Sequence, residues 1–151
     1  MAVRGIWTPM AEVLCLSCHG RRAWNGRPVP SDDMWQWRHE RVRPEPDESE
    51  TRCDRCGRAI VVSADVAPLH GVRNALRAAG IRSAVMEQTG GMCAAVLVPT
   101  AGGVRVQVYA DEEVAGGFVI ARAEGNDSEE AVVTTVRGTA AAVAAVRRAL
   151  A

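Results

Sequence analysis

Two cysteine pairs carry the most specific chemistry in this chain: Cys15-Leu16-Ser17-Cys18 and Cys53-Asp54-Arg55-Cys56. Two intervening residues let the backbone turn so that both sulfurs of a pair face one point, about 2.3 Å from a bound zinc ion. Two such hooks supply four thiolates, which is a complete tetrahedral set for one structural Zn2+. Cys15, Cys18, Cys53 and Cys56 are therefore the expected metal ligands. Gly57 directly follows the second hook, and Gly20 lies two residues past the first. Glycine at such places permits a positive φ and lets backbone N–H groups approach the sulfurs.

Three other chemistries use the same residue types, and each meets an obstacle here. Cys15-x-x-Cys18-His19 has the form of a haem-attachment pattern, but the N-terminus has no secretory apolar region and the second hook would be left without a role. A dithiol redox motif needs a βαβ pattern beside it, which this sequence lacks. A two-disulfide framework needs an oxidising compartment. With four thiolates already in the set, His19 and His39 are expected at the surface or beside the ligands. Cys53-Asp54-Arg55-Cys56-Gly57-Arg58 resembles the C-x2-C-G-R/K knuckle of zinc ribbons, over roughly residues 12–62. That resemblance implies a small four-cysteine, zinc-ribbon-like module. The departure is the spacing: 34 residues lie between Cys18 and Cys53, against the usual ~15–20, so an insertion must separate the hooks.

Composition bounds the rest. The chain has 151 residues, 48% of them hydrophobic and 24% charged, with a formal net charge of zero. A hydrophobic core is possible, and a general nucleic-acid or membrane-surface protein is disfavoured. All 18 basic residues are arginine. No apolar run approaches the ~20 residues of a membrane span. Reduced cysteines and the missing secretory segment lead to an expected cytoplasmic location.

The elements that must position the hooks come next. Residues 1–11 show no clear period, and Glu12 to Leu16 is a short apolar approach read as a strand. The insertion, residues 19–44, interleaves arginine with tryptophan. Arg21, Arg22, Arg38, Arg41 and Arg43 with Trp35 and Trp37 could stack on and neutralise single-stranded nucleic acid. The same tryptophans, with Trp24, could instead supply the buried area that a small metal module needs. Met34 to Val42 fits either a strand or a helix. Pro44 to Glu50 is an acidic, proline-bearing stretch expected to be a solvated loop that partly neutralises Arg38, Arg41 and Arg43. Ile60-Val61-Val62 is a short strand closing the module.

Composition shifts near Ser63. The expected organisation is a zinc-ribbon-like module over 1–63 and an α+β domain over 64–151. Leu69, Val72 and Leu76 mark a helix over 66–79, ended by Gly80, with Ile81 folding back on Leu76. Period-two patterns predict strands near 83–88, 92–98, 103–109, 117–123 and 131–136, with glycine turns at Thr89-Gly90-Gly91 and Ala101-Gly102-Gly103. Gly138-Thr139 opens a final helix with an expected apolar stripe of Val143, Val146 and Leu150. The fold class expected is α+β: an antiparallel sheet of about five strands flanked by two helices. The pattern from Ala78-Ala79-Gly80-Ile81 to Gly91-Met92-Cys93 is similar to that of small uncharacterised proteins of actinobacteria and their phages, a resemblance spanning residues 65–151 that implies no mechanism.

The second half offers little catalytic chemistry. Cys93 has no aligned base, since His70 is the only histidine there, and a buried thiol is the expected state. Glu87, Asp111, Glu112 and Glu113 are expected to face solvent. The paired glycines lack the Lys-Ser/Thr of a phosphate loop. The functional expectation is a non-enzymatic, zinc-binding, protein-interaction module. The alternative is a nucleic-acid-binding zinc ribbon using the seven Arg/Trp residues named above.

Overall fold

The computed structural model describes residues 2–7, 12–23, 41–89, 93–125 and 129–151; the side chains of residues 7, 21–23, 88, 89 and 93 lie outside that description. The chain forms two compact units, Met1–Ala67 and Pro68–Ala151. The described residues contain two five-stranded sheets and three helices, an α+β architecture.

In the first unit, strands β1 (Ala2–Trp7), β2 (Val13–Cys15), β3 (Arg41–Val42), β4 (Glu48–Arg52) and β5 (Ala59–Ser63) form one mixed sheet, with helix α1 (Leu16–Ala23) directly after β2. Strand β1 organises it. Its first half pairs parallel with β5 and antiparallel with β3, and its second half pairs antiparallel with β2. Strand β5 is bonded on both edges, by β1 and by β4. Ile60, Val61 and Val62 are all buried, so both faces of this strand are covered, which suits a continuous apolar run.

Two parts of this sheet run against the sequence expectation. Residues 2–7 show no clean period, yet they form the strand on which the sheet is built. Glu48 to Glu50, expected to be loop, belong to strand β4, whose five residues pair with β5 from Glu48↔Ser63 to Arg52↔Ala59. Its sequence, Glu-Ser-Glu-Thr-Arg, has weak β-propensity, and pairing with an apolar neighbour overrides that preference. Its side chains are half-buried or exposed. Gly20, expected to mark a left-handed turn, lies inside α1 instead.

The second unit follows the expected order closely. Helix α2 (Val66–Ala78) is followed by β6 (Val85–Thr89), β7 (Cys93–Pro99), β8 (Val104–Ala110), β9 (Gly117–Glu124), β10 (Ala131–Arg137) and helix α3 (Thr139–Leu150). The strands form an antiparallel meander in the order β10-β9-β8-β7-β6. Pairing places Met86, Val96, Val108 and Ile120 in one row and Val98 beside Val106, all on one face and all buried. Leu69, Val72 and Leu76 of α2 are fully buried.

The C-terminus of α2 is built as its sequence implies. Gly80 has φ +94°, its N–H donates to Arg77 O at 3.0 Å, and Ile81 N–H donates to Leu76 O at 2.9 Å. These two bonds are the Schellman arrangement, which satisfies carbonyls that the helix end leaves open. Helix α3 packs on β8, β9 and β10. Its buried stripe is Ala142, Ala145, Val146 and Ala149 rather than the larger Val143 and Leu150, which flank it half-buried. Small side chains on that stripe let the helix backbone approach the sheet closely. Arg147 Nη2 donates to Ala79 O at 2.9 Å and so ties α3 to the end of α2. No helix among the described residues is long and apolar enough to cross a membrane.

Candidate metal centre

The first hook is set by a strand-to-helix junction. Cys15 ends β2, and Cys18 stands in the first turn of α1. Free backbone N–H groups at a helix start point at whatever acceptor precedes them, and here Cys18 N–H approaches Cys15 Sγ at 3.4 Å. The second hook is the connection between the paired strands β4 and β5. Its turn is closed by Gly57 N–H to Cys53 O at 3.0 Å and by Cys53 N–H to Arg58 O at 2.9 Å. Gly57 has φ +70°, a conformation that L side chains avoid. Arg52 Nη1 donates to Gly57 O at 2.9 Å and braces the turn from outside.

Asp54 joins the two hooks. Its N–H donates to Val13 O at 2.8 Å, and its Oδ2 accepts from Val13 N–H at 2.8 Å. The tip of the second hook is thereby docked on β2, two residues before Cys15. Nothing in the spacing of the cysteines announces this clamp. The clue available in sequence was an acidic residue inside a C-x2-C turn.

The result is a cluster. The Sγ atoms of Cys15, Cys18, Cys53 and Cys56 all lie within 4.8 Å of one another. Cys15 Sγ and Cys56 Sγ are 3.8 Å apart, and a tetrahedron with a 2.3 Å metal–sulfur radius has an edge of about 3.8 Å. Four sulfur donors at this separation can hold a metal ion, and the donor set is the one zinc favours. Cys15, Cys18 and Cys53 are buried and Cys56 is exposed; none of the four is in a disulfide. His19 is not in the cluster, and its Nδ1 is buried without a hydrogen-bond partner among the described residues. His39 lies outside the described residues.

Burial pushes the thiols of Cys15 and Cys18 up. It pushes Cys53 the same way, but backbone N–H groups of Cys56, Cys15 and Arg55, with the Cys56 side chain, outweigh it and bring that thiol down to about 7. A metal would therefore meet one sulfur already close to its thiolate form and displace protons from others as it binds.

The proposed nucleic-acid residues are only partly in view. Trp35, Trp37 and Arg38 lie outside the described residues, as do the side chains of Arg21 and Arg22. Arg41 and Arg43 are exposed. The acidic stretch was expected to neutralise them. Among the described residues Glu48 instead pairs with Arg4, Oε1 to Nη1 at 3.2 Å, while its Oε2 accepts from Glu45 N–H. The Cys93 side chain lies outside the description.

The second unit carries a polar chain that sequence reasoning missed. Gln107 Nε2 donates to Glu87 Oε2 at 3.1 Å, and the Tyr109 hydroxyl lies 2.5 Å from Gln107 Oε1 and 2.8 Å from Glu130 Oε2. Gln107 and Tyr109 are two residues apart on β8 and so share a sheet face. Burial, then the Glu130 carboxylate, push the Tyr109 phenol well up from its ordinary value. Glu87 is thus tied into a network rather than simply facing solvent, whereas Glu112 and Glu113 are exposed as expected.

No protein family, characterised protein or solved structure matches this chain, so the resemblance to actinobacterial and phage proteins gains no support from comparison.

Proposed function

We propose that this is a non-enzymatic protein whose first unit is organised by one Zn2+ on Cys15, Cys18, Cys53 and Cys56, and which serves as a protein-interaction module. The observation that carries the metal reading is the clustering of four sulfurs from hooks far apart in sequence. A metal with four protein ligands has no open position for water or substrate, which is the mark of a structural rather than a catalytic site. The zero net charge supports a protein partner over a polyanion. Elemental analysis tests the metal: the expected result is one zinc per chain, reduced by Cys18→Ser. Iron in its place, or no metal in protein prepared without chelators, overturns it. Capture of partners by the zinc-loaded chain but not by chelated chain, from a lysate of the native host, tests the interaction role.

A second reading is favoured by one observation. Arg41 and Arg43 are exposed with no acidic partner among the described residues, so the first unit could contact nucleic acid. Titration with single-stranded oligonucleotides at varied salt separates the two. Phosphate contacts from all five of the arginines named above would give a slope of log K on log salt of about −3.5. A flat or absent response is expected for the protein-interaction reading.

A further inference from the structure

The four sulfurs are not equivalent. Cys15, Cys18 and Cys53 are 1%, 6% and 3% exposed, whereas Cys56 is open to solvent. Cys56 sits at the tip of the second hook with Arg55 and Arg58 exposed beside it and Arg52 bracing the turn. A cysteine sulfur that solvent can reach is the one that oxidants and electrophiles meet first. Directly beneath it lies Cys15 Sγ, at 3.8 Å. A disulfide needs about 2.05 Å, so the sulfurs must close by roughly 2 Å, and the partner that moves is the exposed tip of a turn.

Resting on the zinc reading above, we propose that Cys56 is a site of oxidative modification, and that oxidation exchanges the metal for a Cys15–Cys56 disulfide joining the two hooks. The Cys56 thiolate attacks one oxygen of hydrogen peroxide. The O–O bond breaks, hydroxide leaves, and Cys56 becomes a sulfenic acid. The Cys15 thiolate then attacks that sulfur, the S–S bond forms, and a second hydroxide leaves. Two electrons have passed from two thiolates to one peroxide. Cys18 and Cys53 alone would then remain to hold a metal, half of a tetrahedral set, and a bound Zn2+ would be released. The choice of Cys15 over Cys53 follows from what each bond would hold. A bond within the second hook closes only a short turn, whereas a bond between hooks closes a loop of about 40 residues and restrains the unfolded chain far more. The cross-hook bond therefore keeps the first unit assembled without its metal.

The sequence makes the test direct. Trypsin cuts after Arg52, Arg55 and Arg58, which puts Cys53 and Cys56 on separate peptides, while Cys15 and Cys18 share the peptide 5–21. The full-length zinc-loaded protein is treated with hydrogen peroxide, released metal is followed with a chromogenic chelator, and remaining thiols are alkylated before digestion. The expected result is one zinc released per disulfide, with peptide 5–21 linked to Cys56-Gly57-Arg58 and fragmentation placing the bond at Cys15. Brief N-ethylmaleimide treatment of untreated protein should label Cys56 roughly tenfold faster than the other three. Zinc that is present but retained, or a Cys53–Cys56 or Cys15–Cys18 bond, overturns this proposal and leaves the zinc reading standing. Untreated protein that contains no zinc overturns both.

Discussion

Asp54 shows how much of the four-cysteine cluster depends on a residue outside it. Its carboxylate accepts from Val13 N–H, and Val13 is fully buried. A buried donor left without its acceptor costs ~1–3 kcal/mol. Asp54→Ala is therefore expected to destabilise the first unit by about that amount and to speed metal loss to a chelator, while Asp54→Asn, which keeps an oxygen acceptor, costs less. Denaturant melts of the zinc-loaded protein check it; equal stability of all three would show that the clamp is idle. Tyr109 gives a second residue-scale prediction. It is the only tyrosine in the chain, so phenolate absorbance near 295 nm reports it alone. Burial and Glu130 raise its folded pKa, so protons bind the folded state more tightly than the unfolded. The stability this contributes is fully present below pH ~10 and is lost as pH rises beyond it. The folded protein should show no phenolate at pH 10, whereas the urea-unfolded chain shows about half. Partial ionisation of the folded chain at that pH would mean the phenol is not held in the network. At this scale the cysteines were legible because thiolate spacing is dictated by metal geometry. Asp54 and the Glu87–Gln107–Tyr109–Glu130 chain were not, because their partners are distant in sequence and meet only in the tertiary fold.

Among the elements, legibility followed the strength of the pattern. The five strands of the second unit begin and end within two residues of their expected places, because apolar, β-branched runs bounded by glycine and acidic turns announce strands. Strands β1 and β4 were missed for opposite reasons. The first runs from buried Ala2 and Val3 to exposed Ile6, so no single face is buried throughout. The second is polar at an edge and is specified by its partner. On α3 the expected Val146 is buried, but the stripe continues through Ala142, Ala145 and Ala149 rather than the half-buried Val143 and Leu150, because close approach to the sheet favours alanine. Gly5 tests the packing of β1. It pairs with Cys15 across the sheet. A Cβ added there would stand 2.7 Å from Ile60 Cδ1 and 3.1 Å from Val62 Cγ1, and Ile60 is fully buried and has no room to yield. Gly5→Ala is expected to cost ~1–3 kcal/mol by overpacking. The measurement is the midpoint of thermal unfolding of the zinc-loaded chain. An unchanged midpoint would mean that β1 can shift without penalty.

At the scale of the whole chain, the two units differ in what holds them. Among the described residues, the first draws its buried set mainly from β1, β2 and β5, and its two hooks approach each other through the Asp54–Val13 contacts and the shared sulfur cluster. The second has a continuous apolar face across its strands with fully buried Leu69, Val72 and Leu76. Structural zinc contributes ~10–16 kcal/mol to the folding of small modules, and removing it commonly unfolds them. The second unit carries no metal-ligand cluster among its described residues and buries apolar area that does not depend on one. Metal removal is therefore expected to act on one unit only. Hydrogen exchange on the full-length protein, before and after chelation, reads this residue by residue. Amides of Val13–Cys15 and of Glu48–Ser63 should lose their protection, while those of Val104–Ala110 and Gly117–Glu124 keep theirs. Global loss of protection in one step would mean that the two units fold as a single cooperative body, and that the zinc site supports the whole chain rather than the first unit alone.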